Sequence, residues 1–212
     1  NIAGNMKMLN KYNFKGGVKG LAKMAETAAK LGVDMNMVSG MAEKLFDVEG
    51  AVDMSAQLQV MGGEWAKLAD PFKLMYMARN DMEGLMEAVG GAAAASAHFN
   101  KESKTFEISA LEMHRLRKVA EQIGVSYEEL AQASKNAAKY TNIKKQIKFN
   151  VDKETQEFLT NTAQFNEKGE ATLNINGSPK LLKDLDIKTL KAQVAEKASL
   201  KQRAEDAQTF DE

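Results

Sequence analysis

One helical passage is used twice in this chain. Residues 20–44 lie on residues 112–136 without a gap, at an offset of 92 positions. Leu21 meets Met113, Met24 meets Leu116, Ala28 meets Ala120, Leu31 meets Ile123 and Val38 meets Leu130. Within each copy the apolar matches fall at i, i+4 and i+7, which places them on a single helix face. Each copy then reaches Gly-Val (Gly32-Val33, Gly124-Val125) and restarts at a capping residue, Asp34 or Ser126. The repeat therefore predicts two helix–turn–helix corners. Ala28 and Ala120 permit close crossing, Gly32 and Gly124 bend the chain and pack against neighbours, and Asp34 and Ser126 cap the second helices. Packing at the crossing predicts that Gly124→Val destabilises by overfilling it.

Small residue, glycine bend, second helix: this is also the spacing of a DNA-reading helix-turn-helix. In such a reader the first turn of the second helix touches base edges. That turn here is Ser126, Tyr127, Glu128 and Glu129 in one copy, and Asp34, Met35, Asn36 and Met37 in the other. Two carboxylates would be repelled by phosphate, and the other copy offers no cation. The backbone pattern is right for DNA and the surface is wrong, so the corners read as packing joints.

The rest of the chain is punctuated like a helical protein. Asp70-Pro71 supplies a cap and a first-turn proline, and Asp81 caps the next run. Ser109 with Glu112, and Ser126 with Glu129, fit capping boxes. Ser178-Pro179 repeats the cap-plus-proline device before "KLLKDL", predicting another helix there. About ten short helices result. Two segments break the pattern, "FNKESKTFEIS" from Phe99 and "FNEKGEATLNING" from Phe165. Their alternation at Phe106/Ile108 and Leu173/Ile175 reads as short strands, which could share a ribbon that leans on helices. The fold class expected is mainly α, with many short helices, two repeated corners and short β-ribbons. All thirteen Met lie at or before Met113, which suggests two packing environments. We therefore expect a Met-rich helical region at 1–97 and a second region at 98–212, carrying the ribbon and a charged end.

Chemistry is harder to find. With no cysteine, thiolate metal sites and disulfides are excluded. His98 and His114 stand alone, without a carboxylate or second histidine at ligand spacing. No G-x-S-x-G or phosphate-binding glycine loop occurs, so no catalytic residue, metal ligand or cofactor is expected. Trp65, the single tryptophan, reads as a core or interface anchor. No apolar run approaches the ~18 residues of a membrane span. The 29 basic and 29 acidic residues cancel, which argues against a dedicated nucleic-acid binder. Residues 131–150 are the exception, with Lys135, Lys139, Lys144, Lys145 and Lys148 and no acid. With Tyr140 and Phe149 they are candidates to lie along a DNA backbone without reading sequence, against the plainer reading of a solvated face.

Three segments, "ADPFKLMYMARND", "FNKESKTFEISALEMHRLRK" and "AEQIGVSYEEL", together resemble parts of very long helical virion proteins of tailed bacteriophages. These are tape-measure or ejected cargo proteins of crAss-like phages that infect Bacteroides-type bacteria. The resemblance runs from about Met24 to Lys139. It implies a structural, non-enzymatic segment of a longer chain, housed in the capsid or tail lumen and ejected with the genome. Its implied partners are other parts of that chain, neighbouring copies, portal, tail or capsid proteins, and packaged DNA without sequence preference. Sustained heptads are absent, which favours an internal cargo segment over a ruler rod. Two other functions remain open at this point: a helix-turn-helix DNA-binding regulator, and a segment of a virion-associated cell-wall hydrolase.

Overall fold

Ten α-helices and two small antiparallel sheets alternate along the chain in a computed structural model that describes residues 17–31 and 35–210. The helices are α1 (Val18–Leu31), α2 (Met35–Lys44), α3 (Val48–Met61), α4 (Gly63–Ala66), α5 (Pro71–Asn80) and α6 (Met82–Ala95). Strands β1 (His98–Asn100) and β2 (Thr105–Glu107) follow, then α7 (Ala110–Ile123), α8 (Tyr127–Gln146) and α9 (Lys153–Thr162). Strands β3 (Gln164–Phe165), β4 (Ala171–Ile175) and β5 (Ser178–Leu181), a short 3-10 turn at Leu182–Asp184, and α10 (Ile187–Phe210) complete the order.

Each helix start carries its own local cause. The carboxylates of Asp47, Asp70, Asp81 and Asp152 accept the N–H groups of Gly50, Lys73, Gly84 and Thr155. Each satisfies a donor that an open helix end would leave bare. At α8 the capping box is complete: Glu129 N–H donates to Ser126 Oγ at 3.1 Å, and Ser126 N–H donates to the Glu129 carboxylate at 3.1 Å. At α7 it is half made. Glu112 N–H donates to Ser109 Oγ, but the Glu112 carboxylate turns to pair with Arg115.

The chain forms two compact units. Among the described residues, one comprises those up to Asn100 together with Phe106–Thr141, and the other comprises Lys101–Thr105 and those from Asn142 onward. The division expected at Ala97/His98 thus falls instead at Thr141/Asn142, inside α8. Methionine content was the wrong guide, because Leu116, Val119, Ala120 and Leu130 from α7 and α8 share one core with Met24, Met54 and Met86. In that core Trp65 is sealed, and its indole N–H donates to Ser96 Oγ at 3.1 Å.

In the second unit β3, β4 and β5 form an antiparallel sheet, with Thr172 opposite Leu181 and Ile175 opposite Ser178. The helix expected from Ser178-Pro179 is therefore a strand. The turn before it is Asn176-Gly177, both at positive φ (53° and 81°), the two-residue hairpin turn whose twist matches its strands. Pro179 faces Asn174 on β5, an edge strand, where a missing N–H is tolerated. The strands expected at Phe106 and Leu173 are present, but in separate sheets rather than one shared ribbon. Their Phe-Asn starts do play parallel roles. Asn100 Nδ2 donates to Glu107 and Asn166 Nδ2 donates to Glu170, each closing its own turn. Leu159, Phe165, Ala171, Leu173, Ile175, Leu182 and Leu190 are buried in this unit. Gln146 at the end of α8 ties in the start of β4: its Oε1 accepts Ala171 N–H at 2.8 Å and its Nε2 donates to the Gly169 carbonyl.

Candidate functional site

The second corner is the most fully built feature that the repeat singled out. Helix α7 carries Leu116 and Ala120 one turn apart on its apolar face, and both are buried. The equivalent residues of α1, Met24 and Ala28, are buried too. Leu21 is buried, yet its counterpart Met113 is partly exposed, so the two copies do not share their whole face. Gly32 and Asp34 lie outside the described residues.

Gly124 ends α7 at φ 76° and ψ 36°, in the left-handed region. The N–H groups of Gly124 and Val125 both donate to the Ala120 carbonyl, at 2.9 and 3.0 Å, which is Schellman-type closure of a helix end. The Lys44 ammonium donates to the Gln122 carbonyl and places a cation where the helix dipole favours one. The expected packing role of Gly124 needs correction. The residue is exposed, and a Cβ there would meet only the Lys44 ammonium, at 3.9 Å. The glycine is required by its dihedral angles and not by crowding.

Past the bend, the surface offers little to a nucleic acid. The Glu129 carboxylate is engaged by Ser126 through both its N–H and its hydroxyl, at 3.1 and 3.0 Å. Glu128 is exposed. Arg117 of α7 lies over the Tyr127 ring, 5.0 Å from its centre. A phosphate approaching this turn would meet two carboxylates, and the Lys44 ammonium beside Gly124 is already engaged by the Gln122 carbonyl. The five lysines do not form one stripe either. Lys135 and Lys139 are one turn apart on α8, while Lys144, at 100° per residue, projects from nearly the opposite side. Lys148 lies beyond the helix. Lys135 and Lys139 are half-buried, and burial pushes the Lys139 ammonium below the usual lysine range. Lys144, Lys145 and Lys148 are exposed.

A polar cleft lies between α1 and α6, lined by Lys19, Gly20, Lys23, Asp81, Glu83 and Gly84, with Glu87 at its rim. Its volume is about 380 Å³. Lys23 pairs with Glu87 at 3.0 Å, and that hydrogen bond, with the Glu87 charge behind it, raises the Lys23 ammonium above its ordinary range. Both side chains are more than half exposed, so the pair is of the weak surface kind. Glu83 is buried in the first turn of α6, and its Oε2 has no hydrogen-bond partner and no contact with solvent. A ligand in the cleft would reach that oxygen only if the carboxyl group turned. Sequence reasoning missed this residue. Its signal, an acid in the first turn of a helix, is normally a dipole-favoured exposed position.

Neither histidine gathers partners for chemistry: His98 on β1 and His114 on α7 are both exposed. Among the described residues, no group of three or more His, Cys, Asp or Glu side chains is placed to hold a metal ion. No helix among them is long and apolar enough to cross a membrane. The fold defines a mainly helical protein of two units with small added sheets. No family model, curated protein or solved structure matches the chain.

Proposed function

We propose that this chain is an architectural segment of a virion-internal protein of a tailed phage, a cargo or tape-measure component that leaves with the genome and performs no catalysis. The observation that supports this reading most is that the helices start on their own terms. Asp47, Asp70, Asp81, Ser109, Ser126 and Asp152 each cap the helix that follows from within its own first turn. A chain drawn through a narrow lumen loses its tertiary contacts, and start signals of this local kind survive to guide re-formation. The absence of cysteine and the presence of only two prolines in 212 residues agree with it, since neither a cross-link nor many slow prolyl bonds would hinder passage. The segment contacts the remainder of its longer chain, neighbouring copies, the wall of the capsid or tail, and packaged DNA without sequence preference.

The test is the protein content of purified particles. Peptides of this chain should be present in full particles and depleted from ghosts that have released their genome. Peptides confined to the infected-cell lysate, or retained in ghosts at full level, overturn the reading.

A further inference from the structure

Two helices of the first unit carry apolar side chains on their outer faces that no other described residue covers. On α3 the buried residues Ala51, Met54, Ser55, Leu58 and Met61 account for its inner face. Its outer face shows Val48, Val52, Ala56 and Val60, four residues apart in register, with Val60 86% exposed. A step of four makes neighbours of successive members, and the row winds about 120° round the helix from Val48 to Val60. On α5 the buried residues are Leu74, Met77 and Ala78, and the outer pair is Phe72 and Tyr76, again four apart, at 78% and 60% exposure. An aromatic pair left this open is uncommon on a surface without a partner.

The charges of these two helices are fully segregated. Helix α3 contains Glu49 and Asp53 and no base, whereas α5 contains Lys73 and Arg79 and no acid. Glu49, Asp53 and Lys73 are exposed. Among the described residues none of the three closes an ion pair. Arg79 is already engaged, donating to the Phe46 carbonyl. One chain therefore presents an acidic-edged aliphatic row and a basic-edged aromatic pair, each the complement of the other.

We propose that α3 of one copy docks against α5 of a second copy, with Val48 and Val52 meeting Phe72 and Tyr76, and Glu49 and Asp53 facing Lys73. In a twofold dimer the contact is made twice, α3 to α5 and α5 to α3, so one surface serves both partners. The aromatic pair anchors the contact and the charges set its register. The inference rests on the reading above for its choice of a second copy as the partner. Its test needs no particle, so either can fail without the other.

The test is sedimentation velocity on the full 212-residue chain across a concentration series. The wild type should pass from monomer to dimer as concentration rises. Lys73→Glu alone should return it to monomer, and so should Glu49→Lys with Asp53→Lys. Mixing those two variants should restore the dimer, because each mixed contact again sets acid against base. All these positions are exposed, and circular dichroism confirms that each variant keeps its helix content. A wild type that stays monomeric throughout, charge variants that dimerise like the wild type, or a mixture that fails to recover, each overturns the proposal.

Discussion

At the residue scale, Gly124 separates two physical accounts of one repeated pattern, a glycine after an apolar helix face. Overpacking would make the cost of substitution grow with side-chain volume. The open space above the residue and its φ of 76° say otherwise. Replacement by Ala already incurs the left-handed cost of about 1–2 kcal/mol, Val adds only the rigidity of a branched side chain, and Asn is the best-tolerated replacement. Chemical denaturation of the Ala, Val and Asn variants checks this order. A neutral Ala with a severe Val would return the argument to crowding. Ser96 gives a second prediction. It is buried, it accepts the Trp65 indole N–H, and its hydroxyl lies 3.4 Å from the Ala92 carbonyl. Ser96→Ala leaves a buried donor unsatisfied, at a cost of roughly 1–3 kcal/mol. Equal denaturation midpoints for the variant and the wild type would refute that role. Trp65 as an anchor was legible from its identity alone. Its partner was not, because Ser96 is thirty-one residues away in a run of alanines that carries no polar signal.

At the element scale, caps were legible where proline, a capping box or a strongly periodic run marked the helix, whereas Asp47, Asp152 and Asp186, which cap in the same way, carried no such mark. Asp70-Pro71, Asp81 and the Ser126–Glu129 box stand as their sequences imply. Ser178-Pro179 misled because a fixed φ near −65° suits the first turn of a helix and an edge strand equally. Asn176-Gly177, two residues earlier, was the deciding signal, since both residues tolerate positive φ. The caps also predict an acid response. The N–H of Thr155 holds the Asp152 carboxyl below the usual aspartate range, and that of Thr189 does the same for Asp186. Groups with depressed folded values stabilise the fold above the unfolded aspartate value of about 3.9. They lose that contribution as pH falls through the folded values. Asn at both positions keeps a capping oxygen but removes the titration. Urea midpoints of Asp152→Asn/Asp186→Asn should therefore fall less steeply below pH ~4 than those of the wild type. An unchanged acid slope would show that the caps do not contribute to it.

At the scale of the whole molecule, the helical class could be read from periodicity and caps, but the partition into units could not. Methionine stops at Met113, yet Leu116, Val119, Ala120 and Leu130 fill the same core as the methionines before them. Composition records which residues a segment contains and is silent on which segment they face. The lysines of residues 131–150 show the same gap: they are a cluster along the chain, yet Lys144 projects nearly opposite Lys135 on α8 and Lys148 lies beyond the helix. The proposed role is architectural, and it requires elements that can be pulled apart and formed again. Repeated stretching and relaxation of single chains in an optical trap tests it most directly. The account predicts that each cycle unfolds the chain in small steps and that the same contour length is recovered on every relaxation. Chains that fail to refold after the first pull would contradict it.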